Sequence, residues 1–137
     1  MQLLLTLVCD EAGLGPDGKL DVHGVFNDLY APGFPAKQDR MVLVVVVEWD
    51  RSDEGRYRFR VDLEDQDGRP ALSVDGYSDV DRRAEGRPPP RTRLIMPLEE
   101  VVFPRPGAYR FRIRIKGETF AGPSLYLVEA AEAPPAG

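Results

Sequence analysis

One cysteine and one histidine leave this 137-residue chain little from which to build thiol or imidazole chemistry. Cys9 has no second cysteine to pair with, which excludes a disulfide scaffold and points to a reducing compartment, the cytoplasm. His23 alone cannot make a two-histidine zinc site, and any imidazole catalysis would rest on this single residue. No apolar run approaches the ~20 residues of a membrane helix, so no membrane partner is expected. The opening run Met1 to Cys9 is apolar but short, lacks a basic segment, and carries Val8 where a lipoprotein signal has a small residue; it reads as a first strand. Phosphate-cradling glycine loops, nucleophile elbows and cysteine clusters are missing too, so no cofactor is expected. A formal net charge of -5 supplies no long-range attraction to phosphate backbones, and no nucleic-acid partner is expected.

What the chain does have is strand material and punctuation. Hydrophobic residues at 42% and charged residues at 30% give the balance of a folded domain. Thirteen glycines and thirteen prolines interrupt every stretch before an apolar 3.6-residue period can run for three turns, so helix is excluded as the main element. Residues 2 to 9 read as a strand, and the turn Gly15-Pro16-Asp17-Gly18 leads into a second one from Lys19 to Leu29. Met41 to Trp49 is the most β-prone run. In Arg56 to Glu64 every second residue is apolar and the others are charged, the pattern of a half-buried strand. Asp67-Gly68 turns the chain into Arg69 to Val80. Residues 82 to 90 form an exposed loop of polyproline II character, followed by a short strand from Thr92 to Pro97. Tyr109, Phe111, Ile113 and Ile115 then alternate with Arg110, Arg112, Arg114 and Lys116, and Gly117-Glu118 turns into a last strand ending near Glu129. About eight strands with one-faced alternation predict a single all-β domain over 1–130, a two-layer antiparallel β-sandwich with a partly open barrel as the alternative, and a disordered tail over 131–137.

Four motifs in this layout carry a resemblance. The first strand runs into Cys9-Asp10-Glu11-Ala12, and Gly18-Lys19-Leu20-Asp21-Val22-His23-Gly24-Val25-Phe26 follows. Leu63-Glu64-Asp65-Gln66-Asp67-Gly68 and Pro106-Gly107-Ala108-Tyr109-Arg110-Phe111 come later. With these spread over most of its length, the chain resembles the DUF6941 family of uncharacterised small bacterial β-sandwich proteins. The resemblance implies the fold and brings no activity, cofactor or site with it.

The polar candidates gather at the first hairpin. A turn closing on Pro16-Asp17 would set Asp10 opposite His23 and Cys9 opposite Gly24, which places Cys9 and His23 on opposite faces and argues against a Cys-His dyad. Asp10, Glu11 and His23 remain as weak polar-site candidates, and Asp10, Glu11, Asp17 and Asp21 surround the turn at a spacing that fits no EF-hand pattern. No catalytic, cofactor-binding or metal residue is assigned. The arginines of 56–60 and 110–114 would form basic rows if their strands were neighbours. Cross-strand pairing with Asp62, Glu64, Asp75 or Asp79 would turn those rows into a solvated ladder, and the ladder is preferred. Arg87-Pro88-Pro89-Pro90-Arg91 reads as a stiff surface loop before a polyproline ligand.

Met41 to Trp49 poses a separate question. Leu43, Val45, Val47 and Trp49 fill one face, and Val42, Val44 and Val46 make the other face apolar as well. Either the chain covers this second face or a second subunit does; a homodimer centred on Val42, Val44 and Val46 is the expectation. The sequence therefore favours a non-catalytic protein acting by protein interaction or self-association. A small-molecule or carbohydrate module using residues 31–40 and 82–91, with Trp49 and Phe34 lining a pocket, is the alternative. A metal-dependent hydrolase using Asp10, Glu11 and His23 ranks below both.

Overall fold

The computed structural model of the chain describes residues 1–132, and among these there is no helix. The strands are β1 (Gln2–Leu14), β2 (Leu20–Val25), β3 (Asp28–Ala31), β4 (Ala36–Glu48), β5 (Gly55–Glu64), β6 (Pro70–Val80), β7 (Arg91–Phe103), β8 (Gly107–Ile115) and β9 (Glu118–Glu129). They form a four-stranded sheet of order β2-β1-β4-β7 and a five-stranded sheet of order β3-β9-β8-β5-β6. The all-β two-layer arrangement is the one the alternation predicts. Residues 133–137, most of the expected tail, lie outside the described residues.

The ninth strand comes from splitting the run 19–29. The chain leaves the four-stranded sheet after Val25 and joins the other at Asp28, where β3 pairs with β9 in parallel, an exception to the expected antiparallel pairing. Asn27 secures this corner: its carbonyl accepts the Tyr126 amide at 2.8 Å, and its side-chain amide donates to the Ser124 carbonyl at 3.1 Å.

Between the sheets lies the main core. Phe59, Val61 and Leu63 of β5, with Tyr109, Phe111, Ile113 and Ile115 of β8, face Met41, Leu43, Val45 and Val47 of β4. Their charged neighbours Arg58, Arg110, Arg112 and Arg114 are exposed, because a period of two gives one face to each set. Tyr57 is half-buried and stacks on Trp49 at 4.8 Å between ring centroids. Phe59 lies opposite Gly76 on β6, and a Cβ at Gly76 would overlap its ring.

The second face of β4 is covered by the chain itself. Val42 and Val44 are 0% exposed and Val46 8%, and they pack with Cys9, Leu7, Ala12, Leu20, Val22 and Ile95. In the sheet order β2 lies on the side of β1 away from β4, so Leu20 and Val22 reach these valines only if the β1–β2 hairpin bends back over the sheet. The hairpin tip proves the bend: the Arg93 guanidinium of β7 donates to the Gly18 carbonyl at 2.6 Å, although β7 is the far edge of the sheet. The monomer thus covers by itself the face expected to meet a second copy, leaving Val42 and Val44 no exposed area and Val46 8%.

Candidate functional site

The first hairpin closes one residue later than the sequence suggests. Leu14 pairs with Leu20 around the connection 15–19, where the Gly15 amide donates to the Lys19 carbonyl at 2.8 Å and the Gly18 amide to the Gly15 carbonyl at 2.9 Å. This shifts every partner: Glu11 faces His23 and Cys9 faces Val25. Asp10 therefore packs against Gly24, whose φ of 68° suits glycine; a Cβ there would also overlap the Asp10 carboxylate. The expected Asp10–His23 pair is replaced by Glu11–His23. Both of these side chains are exposed, and the Glu11 carboxylate is held by Arg40.

Cys9 takes no part in a dyad, for a reason other than the register first supposed. It is 0% exposed, and its Sγ lies 3.3 Å from the Glu11 carbonyl and 3.7 Å from the Val42 carbonyl. Burial, aided by the Asp10 charge, pushes the thiol above its ordinary pKa, so the nucleophilic thiolate is disfavoured. Among the described residues no three His, Cys, Asp or Glu side chains are grouped to hold a metal ion.

The arginine rows do become neighbours. β5 pairs with β8, Asp62 faces Arg112, and Arg60 directly faces Arg114. Carboxylates from the predicted set neutralise much of the surface. Arg56 meets Asp79 at 3.0 Å, Arg58 meets Asp75 at 3.0 Å, Arg60 meets Asp62 at 3.2 Å and Arg112 meets Glu64 at 3.4 Å. Asp62 is buried, which pushes its carboxyl up, but the Ser73 hydroxyl at 2.5 Å and the Arg60 guanidinium outweigh this and hold it below the usual range. Arg110 bonds only the Ser124 hydroxyl, at 3.3 Å, and Arg114 has no hydrogen-bonded or ionic partner among the described residues.

Exposed aromatics that the alternation of β5 and β8 does not reveal join this face. Tyr77, 65% exposed, lies opposite Arg58 with the Arg56 guanidinium 5.8 Å from its ring centre. Tyr126, 50% exposed, is paired with Ala108 in the outward phase of β8, and Tyr30 and Val128 continue the patch. The outer surface of the five-stranded sheet thus runs from Tyr77 at one edge, through six arginines, to Tyr126 and Tyr30 at the other.

The two loops expected to share a site lie at opposite ends of the molecule. The β4–β7 ladder runs from Ala36 opposite Phe103 to Glu48 opposite Arg91. At ~3.3 Å per residue, this separates residues 31–35 from the 82–90 loop by about 40 Å. Trp49 is 2% exposed and turned inward, where its indole donates to the Thr92 hydroxyl at 2.8 Å. A cleft does exist at the 82–90 end. It has a volume of about 480 Å³ and lies between the hairpin and the proline loop, bounded by Leu14, Arg83, Pro88, Pro89, Arg91 and Arg93. Sequence reasoning names the 82–91 side of this cleft as a ligand loop but misses Leu14, which only the fold-back of the hairpin brings beside it.

No helix among the described residues is long and apolar enough to cross a membrane. None of the curated proteins compared matches the chain. A family model described as a family of unknown function, DUF6941, matches residues 4–128, and the chain belongs to that family.

Proposed function

We propose that this is a non-catalytic binding protein that engages a protein partner, a second copy of itself included, through the outer face of its five-stranded sheet. The observation that carries the reading is the composition of that face. Arg56, Arg58, Arg60, Arg110, Arg112 and Arg114 stand among the exposed Tyr77, Tyr126 and Tyr30, and arginine and tyrosine are among the residues enriched where proteins bind one another. Asp62, Glu64, Asp75, Asp79 and, opposite Tyr126, Asp28 stand against the six arginines, so this face still carries an excess of one positive charge on a chain of net charge -5. A partner presenting acidic groups and an apolar rim for the tyrosines fits it. Self-association, in this reading, uses the tyrosine and arginine surface and not the valines of β4.

The geometry at the first hairpin supports binding over catalysis, because Cys9 is sealed and Glu11 is engaged by Arg40. A reducing cytoplasm fits the buried, unpaired Cys9. The test is quantitative co-purification from the source cells of wild type, an Arg112→Glu/Tyr126→Asp variant, and a Lys19→Glu variant in the β1–β2 turn. A protein retained by wild type and Lys19→Glu but lost from the double variant supports the reading. Equal retention by all three rejects it.

A further inference from the structure

The cleft at the hairpin tip carries charge of one sign only. Arg83, Arg91 and Arg93 line it, and no carboxylate does. That is unexpected in an acidic chain. A concave surface lined by like charges and backed by apolar walls concentrates the field, which raises the local concentration of counter-ions. Leu14, Pro88 and Pro89 supply those walls, and the prolines have little rotamer freedom to lose on binding.

Two of the three arginines are held in place, and all three have donors to spare. Arg91 uses Nε on Glu48 at 2.9 Å, and Arg93 spends one N–H on the Gly18 carbonyl at 2.6 Å. Arg83 has no hydrogen-bonded or ionic partner among the described residues. A guanidinium has five N–H donors, so all three retain donors for a ligand, and their planar forks match the spacing of carboxylate and phosphate oxygens. The volume of about 480 Å³ falls in the ordinary range of small-molecule sites.

We propose that this cleft binds a small molecule bearing a compact oxyanion of at least two negative charges, phosphoryl or polycarboxylate. The site is separate from the sheet face described above and does not depend on it. Binding also involves the hairpin, since Arg93 is fixed by the hairpin's own Gly18 carbonyl and Leu14 is a wall.

The single tryptophan provides the readout. Trp49 donates to the Thr92 hydroxyl, and Thr92 is itself a lining residue. Its fluorescence is titrated with pyrophosphate, inorganic phosphate and citrate at constant ionic strength, with calorimetry in parallel. The proposal expects saturable binding of at least one of them at millimolar affinity or better. Saturation by the phosphates alone assigns a phosphoryl ligand, and saturation by citrate alone assigns a polycarboxylate. Arg83→Gln, whose side chain supports nothing else, should weaken binding at least tenfold while leaving the denaturation midpoint unchanged. Arg93→Lys, which keeps the charge but loses the fork, should weaken it less. Arg69→Gln, in the β5–β6 turn and away from both the cleft and the sheet face, should leave binding intact. Absence of saturable binding in both methods up to about 10 mM, a site weaker than any useful ligand affinity, overturns the proposal. So does undiminished binding by Arg83→Gln, or an equal loss in Arg69→Gln, which would indicate diffuse surface electrostatics.

Discussion

The Arg93 guanidinium donates a 2.6 Å hydrogen bond to the carbonyl of Gly18, joining the last strand of the four-stranded sheet to the tip of a hairpin that begins at its opposite edge. The contact explains why β4 tolerates an apolar second face. Arg40, which reaches the Asp10 carbonyl and the Glu11 carboxylate, holds the base of the same hairpin, so two arginines clamp a flap over Val42, Val44 and Val46.

Cys9 is buried beneath that flap and reports on it. Arg93→Ala should speed modification of Cys9 by an aromatic disulfide reagent in native buffer several-fold. Far-ultraviolet circular dichroism should remain that of wild type, because local opening is less costly than global unfolding. Equal labelling rates would show that Arg93 does not restrain the hairpin.

Val44 separates a core position from a contact surface. Val44→Arg would bury an unpaired charge where the side chain is 0% exposed, and should lower stability by more than about 3 kcal/mol in urea denaturation. A folded Val44→Arg monomer with near wild-type stability would place the residue at a surface and refute the fold-back.

Within the main core, Phe111 is 0% exposed, and Phe111→Ala should cost about 3 to 5 kcal/mol through the cavity it leaves. Its chain neighbour Arg112 is exposed, and Arg112→Ala should leave the denaturation midpoint almost unchanged. Similar losses at both positions would break the inward and outward assignment of β8.

Stability should also depend on two buried carboxylates. Burial pushes the Asp53 carboxyl up, but the Lys116 ammonium at 2.7 Å and the Asp50 amide at 2.9 Å prevail and hold it below its ordinary pKa; Asp62 is held low in the same sense. A carboxyl with a depressed folded pKa gives stability that is fully present above the unfolded value near ~4 and is lost as the pH falls through the folded value. Lys116 is shifted the other way, upward, chiefly by Asp53, so its contribution is full below the unfolded lysine value near ~10.4 and is lost at higher pH. The melting temperature should therefore drop on the acid side below about pH 4, and Asp53→Asn should flatten that limb. An unchanged acid limb in Asp53→Asn would remove Asp53 from the account.

The strands were readable wherever one physical rule acts locally. Alternation along 56–64 and 109–115 marked the buried faces, Asp67-Gly68 marked the hairpin, and the acids named as partners for the arginines are those that pair with them. The two-sided apolar strand showed that something must cover Val42, Val44 and Val46, but what covers them depends on a tertiary bend that no local pattern encodes. The register at His23 was off by one because the turn spans five residues, with the Lys19 carbonyl closing it onto Gly15. The parallel β3–β9 pairing joins Asp28 to Tyr126, a separation at which four residues carry no signal. Trp49, expected with Phe34 to line a pocket, instead turns its indole to Thr92 inside the molecule.

The most direct test of the binding face is photo-crosslinking in the source cells, with a photoreactive phenylalanine analogue at Tyr77 or Tyr126 and, as a control, at Leu4 of the other sheet, 46% exposed. The account predicts a discrete crosslinked species, to one partner or to a second copy of the chain, from Tyr77 and Tyr126 and none from Leu4, and predicts its loss when Arg58 and Arg112 are reversed to glutamate. Crosslinks of equal yield from all three positions, or none from either tyrosine, would contradict it.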